Sequence, residues 1–283
     1  MTGVLSAIAN IAAYGNFDLT EYKEKSKIRA NAMGDILEEY CKDALAGAFG
    51  MNAIEKAEKH SEIFSYLGNQ NNPPDAIIKG SDAFEFKKIE GFDNGLALNS
   101  SYPKDCLLAT DQRISGQCKT CEEWKVKDLF YAVGSIHEKK LNYLLFTQGN
   151  CYAASKEVYR KVEQELKAGI GSLISSKGLD GGVTTELGRV HKVDPLGITE
   201  LRVRGMWQIQ NPVSLFGDQL GIKKGGAFTC SVIMLEEKYR SYDDAERKKI
   251  ENIKGMTIKN IKIKDPNNPA RLLDAKAITW KKS

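Results

Sequence analysis

The spacing of apolar residues predicts helices at the start of the chain. Residues 1–17 read as an amphipathic helix, and apolar residues recur at helical spacing through 27–51 and again through 52–68. NQNNPPD, at 69–75, then ends the helical pattern, because a residue that precedes a proline is pushed out of the α region. We therefore expect three helical segments before the first proline pair.

Strand patterns follow this break. DAIIKGSDAFEFKKIE, at 75–90, predicts a β-hairpin with KGSD at its tip. Further strands are predicted at three apolar runs, of which the last two are dense enough for central strands: 95–101, 128–136 and 141–149. Residues 155–174 return to helical spacing, with Ser155 as the cap and with Val158, Val162 and Leu166 facing inward.

The second half of the chain has a different character. From about residue 180, apolar and basic residues alternate between turn signals, residues 236–255 predict a polar helix, and 256–283 predict short basic strands. We expect an α/β fold in which residues 1–180 form a core with a mixed central sheet flanked by helices. Residues 181–283 would form a β-rich, basic region packed on this core, or both parts would form one continuous domain.

Composition narrows the class of protein. Hydrophobic residues make up 42% and charged residues 28% of the 283 residues, which is ordinary for a globular protein. No uninterrupted apolar run is long enough for a membrane span, and the N-terminus lacks the basic start of a signal peptide. The six scattered cysteines indicate reduced thiols. These features predict a cytoplasmic protein, whereas a net charge of +4 neither requires nor excludes a nucleic-acid partner.

The predicted hairpin carries three charged residues that suggest chemistry. Glu85 and Lys87 are two residues apart, so both side chains share one face of a strand, whereas Phe86 faces the core. If the loop has an odd number of residues, for example 79–81, Asp75 lies directly opposite Glu85, with Cβ atoms about 4.5–5.5 Å apart. Two carboxylates this close repel each other unless a cation lies between them, and Mg²⁺ prefers oxygen ligands of this kind.

This arrangement suits metal-assisted hydrolysis of a phosphodiester. Lys87 would orient or help to deprotonate the attacking water and would offset charge in the transition state. The alternative interpretation is structural: Asp75 would be a turn residue, and Glu85 and Lys87 would lie on a solvated strand face.

Two levels of resemblance support the chemical interpretation. Pro74-Asp75, followed by Glu85-Phe86-Lys87, resembles the PD-(D/E)xK signature of nucleases with the restriction-endonuclease fold. That family often adds an acid from an upstream helix, here Glu38 or the alternative Glu39. The longer motifs FEFKKIEG, LALNSSYPKDCL, KDLFYAVGSI and YLLFTQGNCYAASKEVY resemble NgoPII-like type II restriction endonucleases over most of residues 30–215.

The resemblance implies specific expectations. The protein would be a homodimer that cuts double-stranded DNA at a short palindrome, GGCC, with Mg²⁺, and leaves a 5′-phosphate. Asp75 and Glu85 would hold the Mg²⁺, with the carbonyl of Phe86 as a further candidate ligand, Lys87 would position the water, and Glu38 would support the site. A cognate DNA methyltransferase would protect the same sequence in the host.

Candidate DNA contacts follow the hairpin and lie in the second half. Arg can bond guanine bidentately and Gln can bond adenine, and phosphate contacts fix the register. The alternative for each position is a capped turn or a solvated strand. The candidates are Asn99, Ser100, Ser101, Tyr102, Lys104, Arg113, Arg202, Arg204, Gln208 and Gln210. Leu201 and Val203 would face inward, whereas Arg202 and Arg204 would share the other face of the strand, and Gln208 and Gln210 would also share a face.

Other motifs carry less information. Cys118 and Cys121 form a single C-x-x-C, and a structural zinc site needs four ligands, so zinc is not expected here. The phosphate-loop and G-x-G-x-x-G motifs are absent, which argues against dehydrogenases and methyltransferases. Two rival functions remain: a structure-selective or repair nuclease of the same fold, and a non-enzymatic DNA-binding module.

Overall fold

The computed structural model describes residues 3–22, 29–69 and 72–282. The helices of these residues are α1 (Val4–Tyr14), α2 (Arg29–Ala46), α3 (Ala53–Ile63), α4 (Gly116–Thr120), α5 (Lys156–Ser176), α6 (Pro212–Leu220), α7 (Glu236–Arg240) and α8 (Asp244–Glu251). A single turn of 3-10 helix covers Gly149–Cys151. In the described part of the chain, no helix is both long enough and apolar enough to cross a membrane.

The strands form one large sheet and two small ones. In chain order they are β1 (Phe64–Asn69), β2 (Asn72–Ile78), β3 (Ala83–Ile89), β4 (Leu96–Asn99), β5 (Cys106–Leu108), β6 (Val126–His137), β7 (Lys140–Gln148), β8 (Asp180–Gly181), β9 (Gly188–His191), β10 (Leu201–Val203), β11 (Trp207–Ile209), β12 (Thr229–Leu235), β13 (Met256–Asp265) and β14 (Asn268–Lys281). The large sheet has the order β1-β2-β3-β6-β7-β12-β14-β13, and β5 pairs with β6.

The large sheet is mixed. β3 pairs with β6 and β7 pairs with β12 in parallel, whereas the other pairs are antiparallel. The buried apolar side chains of α1 and α2 join those of the central strands in one core. The prediction of a mixed central sheet flanked by helices is therefore confirmed.

The described chain divides into two compact units. The first contains Met1–Asn94, Asp105–Ala153 and Gln210–Ser283 and includes the large sheet, whereas the second contains Gly95–Lys104 and Ala154–Ile209 and includes the sheets β10-β9-β8 and β11-β4. These units cross the predicted boundary at residue 180, because β12 and β14 belong to the same sheet as β7. A functional division at residue 180 stays a prediction.

Several predicted elements have different extents in the structure. The polar segment at 236–255 is two short helices, α7 and α8, rather than one. The predicted short strands at its C-terminal side are the 10-residue β13 and the 14-residue β14, which pair along their length. Pairing with a neighbouring strand, which local sequence does not report, extends these strands across charged positions.

The predicted inward face of α5 is wrong. Val158, Val162 and Leu166 are 45–52% exposed. The helix instead packs through Ile170 and Ile174, whose side chains lie so close to glycines of β9 and β8 that a Cβ there would collide with them. The small sheet β10-β9-β8 therefore covers the C-terminal part of this helix, and the side chains of Val158, Val162 and Leu166 stay half exposed.

A buried charge network anchors the tip of the β2–β3 hairpin. Lys238 of α7 lies 2.5 Å from Asp82 and 2.8 Å from Asp128, as measured from Nζ to the carboxylate oxygens. Tyr242 donates a further hydrogen bond to Asp82, which is 2% exposed. Gln148 donates to Asp128 through its side-chain amide. The hairpin is thus tied to α7 and the central strands at the end where its chain reverses.

Lys238→Ala is expected to lower the free energy of unfolding by about 3 kcal/mol, because the carboxylate of Asp82 would be left buried without its cation. Urea unfolding of the variant and the parent measures this difference. Lys248→Ala, on the exposed side of α8, is the matched control and should cost less than about 0.5 kcal/mol. Equal losses in the two variants would contradict the anchoring role of Lys238.

Candidate active site

The β2–β3 hairpin brings Asp75 and Glu85 together. Ala76 pairs with Phe84 and Ile77 with Ala83, and the backbone N–H of Ile78 donates to the carbonyl of Asp82. Extending this register by one residue places Asp75 opposite Glu85. The loop between the strands has the odd length that this pairing requires, and the predicted hairpin is confirmed.

Asp75 lies where the pairing of β2 and β3 stops. Its Oδ2 accepts a hydrogen bond of 2.6 Å from the backbone N–H of Phe86, so the carboxylate bridges the opening between the strands. Gly68 of β1 allows this placement: a Cβ there would lie 2.4 Å from the carbonyl oxygen of Pro74 and 2.9 Å from the Cα of Asp75. The backbone of β1 can approach Asp75 only because Gly68 has no side chain.

Glu85 and Lys87 form an ion pair beside Asp75. The Nζ of Lys87 donates to Oε1 of Glu85 at 2.7 Å, and both side chains are largely buried. The other carboxylate oxygen, Oε2 of Glu85, is buried and has no hydrogen-bond partner among the residues that the structure describes. A buried oxygen without a partner costs folding free energy. This atom is therefore available to bind a cation or to accept a hydrogen bond.

The charges in this cluster act on one another. Burial raises the pKa of Asp75 well above its usual range, the charge of Glu85 raises it further, and Lys87 and the N–H of Phe86 only partly oppose these effects. Burial lowers the pKa of Lys87, but the charges of Glu85 and Asp75 outweigh burial and raise the pKa above its usual value. The amine is therefore a cation at neutral pH, and it offsets only part of the effect that burial and Glu85 have on Asp75.

These residues fit a divalent cation. A metal ion between Asp75 and Glu85 would bind the unused Oε2 of Glu85. It would also offset the repulsion from Glu85 that raises the pKa of Asp75. Carboxylate oxygens are suitable donors for Mg²⁺, which keeps several waters and needs few protein ligands. The described residues include no group of three or more His, Cys, Asp or Glu side chains that could hold a metal.

The helix α2 contributes the acid Glu38. Leu37 packs so closely on Gly134 of β6 that a Cβ at this glycine would lie 2.6 Å from Leu37, which brings α2 near the sheet. The charge of Glu38 raises the pKa of both Asp75 and Lys87. Lys42, a buried lysine one turn further on, lies 2.5 Å from Glu38 and 3.3 Å from Glu39.

The roles of Lys42 and Gly68 beside this site were not predicted from the sequence. The spacing of Glu38 and Lys42, four residues apart on one helix, is a signal for the ion pair, but it does not reveal that the lysine is buried. Gly68 has no sequence signal of its own, because its role depends on the approach of two strands.

The candidate DNA contacts in the first unit are Arg113 and Gln210. The backbone of Arg113 is fixed, since its carbonyl accepts a hydrogen bond from Asn72 of β2 and its N–H donates to Asp111. Gln210 is exposed, and its carbonyl accepts a hydrogen bond from the Tyr152 hydroxyl.

The loop that follows β4 in the second unit is partly buried. Asn99 and Ser100 are exposed, and Asn99 has a positive φ of 52°. Tyr102 and Lys104 are only 9% and 5% exposed, and the Lys104 amine lies 4.5 Å from the centre of the Tyr102 ring. The hydroxyl of Ser101 is buried without a hydrogen-bond partner. Burial favours a structural role for Tyr102 and Lys104, and their contact with DNA stays a prediction.

The remaining candidates lie on the small sheets of the second unit. Arg202 and Arg204 are half exposed and both contact Glu186. Gln208 is exposed on β11, whose partner strand is β4. Leu201 is 53% exposed, so the prediction that it faces inward is wrong.

The C-x-x-C motif is part of a turn. Cys118 is buried in the middle of α4, the short helix that Ser115 caps, and the thiol of Cys121 donates to the carbonyl of Cys118 at 3.1 Å. Burial raises the pKa of Cys118 to about 12, which disfavours a thiolate. The described residues hold no further ligands around this pair.

Comparisons with known proteins agree with the longer motifs. The family model described as NgoPII restriction endonuclease matches residues 2–265, a wider span than 30–215. The type II restriction enzyme NgoPII of Neisseria gonorrhoeae is 41% identical over 278 residues, which cover 98% of this chain and 99% of that protein. No solved structure matches the chain. The chain belongs to the NgoPII restriction endonuclease family.

Proposed function

We propose that this protein is a type II restriction endonuclease. It hydrolyses phosphodiester bonds of double-stranded DNA at a short palindrome, GGCC, and uses Mg²⁺. The observation that carries the proposal is the assembly of Asp75, Glu85 and Lys87 at the opening between β2 and β3, with a buried carboxylate oxygen that lacks a partner. The mixed sheet and this hairpin also favour the PD-(D/E)xK fold for the first unit.

Asp75 and Glu85 would hold the Mg²⁺. The carbonyl of Phe86 is a third candidate ligand, because the N–H and C=O of a strand residue point to the same side and the N–H of Phe86 points to Asp75. When bound, Mg²⁺ supplies Lewis-acid chemistry: it polarises the phosphate and makes water a better nucleophile. Glu38 would support the site from α2, because its negative charge raises the pKa of both Asp75 and Lys87.

Lys87 acts as a cation and hydrogen-bond donor. Its raised pKa keeps the amine protonated, so the amine orients the attacking water by donation and offsets the negative charge that develops on the phosphate. The pair with Glu85 fixes the amine in place before DNA binds. Preorganisation of this kind avoids the cost of reorienting a long side chain during the reaction.

Incubation of the purified protein with a defined plasmid and Mg²⁺, followed by sequencing of the ends, tests the proposed function. We expect discrete fragments whose ends share GGCC and carry a 5′-phosphate. Ends without a common sequence would favour a structure-selective or repair nuclease. DNA that is bound and left intact in Mg²⁺ would favour a non-enzymatic binding module.

We also propose that the protein acts as a homodimer, since the two-fold symmetry of a palindrome matches a two-fold dimer. A candidate surface is the stripe on α5 formed by Val158, Val162, Leu166 and Leu173, which are 45–57% exposed. The flanking exposed residues carry both signs of charge, as expected at the polar rim of an interface; they are Glu157, Lys161 and Glu165.

Leu166→Glu is expected to convert the dimer into a monomer at micromolar concentration, because a charge in the middle of an apolar interface loses its hydration. Sedimentation velocity measures the change. Ile54→Glu is the matched control: this residue is an exposed apolar residue on α3, and its replacement should leave the dimer intact. A dimer that survives Leu166→Glu would exclude the α5 stripe as the interface.

The proposed activity requires protection of the host chromosome. A cognate DNA methyltransferase that modifies the same sequence would supply this protection without binding the nuclease. Because the substrate would be DNA that enters the cell, we propose the cytoplasm as the place of action.

A further inference from the structure

Arginine side chains cluster on one face of the small sheet in the second unit. Arg202 of β10 pairs in register with Arg189 of β9, so their side chains lie on the same face. Arg204, two residues beyond Arg202, continues this face. Three guanidinium groups are therefore collected on a sheet of three short strands.

Glu186 is fixed between two of these arginines. Its Oε2 accepts a hydrogen bond of 3.0 Å from Nε of Arg202, and its Oε1 accepts bonds of 2.6 Å from Nη2 of Arg202 and 2.5 Å from Nε of Arg204. The Glu186 side chain is 15% exposed, whereas the two arginine side chains are 51% and 59% exposed. The acid thus lies beneath the two guanidinium groups, which face outward.

This contact leaves part of each guanidinium group available. Arg202 uses its Nε and Nη2 on Glu186, and within the described residues its Nη1 makes no hydrogen bond. Arg204 uses only its Nε. The free donors of a planar group held along one edge have a fixed direction, which suits bidentate recognition of the guanine edge.

The hydrogen bond from Arg202, followed by that from Arg204, lowers the pKa of Glu186 to about 2, so the acid is ionised at any pH at which the protein would act. A surface ion pair of this kind contributes little to stability. We expect the ion pair to affect DNA binding more than stability. A fixed negative charge under two arginines weakens their attraction to any phosphate, whatever the base sequence.

We propose that Glu186 is a positioning residue that determines DNA specificity: it orients Arg202 and Arg204 toward guanine and limits their binding to the phosphate backbone. The inference rests on the proposed function, because it requires a DNA sequence that the protein distinguishes. It adds to that function the residue that restrains the arginines.

The test compares the affinity for two duplexes in a Lys87→Ala background, which keeps the DNA intact. One duplex carries the site that end sequencing defines, and the other carries the same bases in scrambled order. For Glu186→Gln we expect the preference for the site to fall at least about tenfold, mainly through tighter binding of the scrambled duplex. The salt dependence of scrambled binding should steepen by about 0.9 in log–log slope for each phosphate that a released arginine contacts.

Glu200→Gln is the matched control. Glu200 directly precedes β10 and binds Arg189 and His191 of β9, so its replacement makes the same change in charge without removing a hydrogen bond to Arg202 or Arg204. We expect this variant to keep its preference for the site. A disturbed fold would weaken binding to both duplexes. The proposed effect differs from this, because it lowers the ratio of the two affinities and steepens the salt dependence of scrambled binding.

Two outcomes overturn the inference. A preference that survives Glu186→Gln, or one that Glu200→Gln lowers equally, removes the special role of Glu186 and leaves the proposed function intact. If the Glu186-containing protein does not distinguish the two duplexes, the proposed site-specific function fails first, and the inference fails with it.

Discussion

Lys87→Ala is expected to lower the rate of DNA cleavage at least about a hundredfold while DNA binding is retained. The amine of Lys87 lies 2.7 Å from Glu85 and is protonated at neutral pH, so its loss removes the cation that orients water and offsets charge on the phosphate. Binding depends on phosphate and base contacts over a much larger area, and one alanine does not remove them. Single-turnover cleavage and a gel-shift titration with the same duplex measure the two effects.

Lys88→Ala is the matched control for this variant. Lys88 is the next residue of the same strand, its side chain faces away from Lys87, and it pairs with Glu90. This variant should cut DNA at close to the parental rate. If Lys87→Ala also cuts at the parental rate, the assignment of the active site to this hairpin is wrong.

Asp75→Asn is expected to stabilise the metal-free protein while cleavage is lost. Two unit charges about 5 Å apart repel by about 3 kcal/mol at an effective dielectric of 20, and Lys87 offsets part of this repulsion. The amide keeps the shape of the carboxylate and can still accept the hydrogen bond from Phe86. We expect a net gain of about 1 kcal/mol, or a rise in Tm of about 2 °C for a chain of this size.

The effect depends on pH in a defined direction. The pKa of Asp75 is higher in the folded protein than in the unfolded chain. Above the usual value of 3.8, the unfolded chain therefore loses this proton while the folded protein still retains it. The parent therefore loses stability from this group as the pH rises, and the variant should lose less. Thermal melting from pH 4 to pH 8 with a chelator present measures the difference, and a variant less stable than the parent at pH 8 would contradict it.

Mg²⁺ should reverse the order of stability. Binding of a ligand to the folded state alone raises Tm, so Mg²⁺ should stabilise the parent and have little effect on Asp75→Asn. Asp82→Asn serves as the comparison, because this buried acid pairs with Lys238 and would lose stability with or without the metal.

The hairpin of the active site could be predicted from sequence because its determinants are local. The turn residues around Gly80 fix the loop length, and the alternation around Phe86 fixes the faces, although the helix predicted at 52–68 is wrong beyond Ile63, where β1 begins. These features determine the register, and the register is what places Asp75 opposite Glu85. The central strands β6 and β7 were predictable for a similar reason, since their apolar runs are long and uninterrupted.

The features that could not be predicted depend on contacts between distant segments. The stripe at Val158 has the spacing of an inward face, but it is half exposed, because α5 packs on the small sheet through Ile170 and Ile174. The ion pair of Glu186 with Arg202 joins residues 16 apart through strand pairing that local sequence does not specify. The burial of Lys42 likewise depends on tertiary packing that its position beside Glu38 in the sequence does not report.

The most direct test of the central claim is a crystal structure of the protein grown with Mn²⁺ in place of Mg²⁺, with anomalous differences measured at the manganese edge. We expect an anomalous peak in contact with the carboxylates of both Asp75 and Glu85. A peak elsewhere, with these two side chains in the metal-free arrangement, would contradict it.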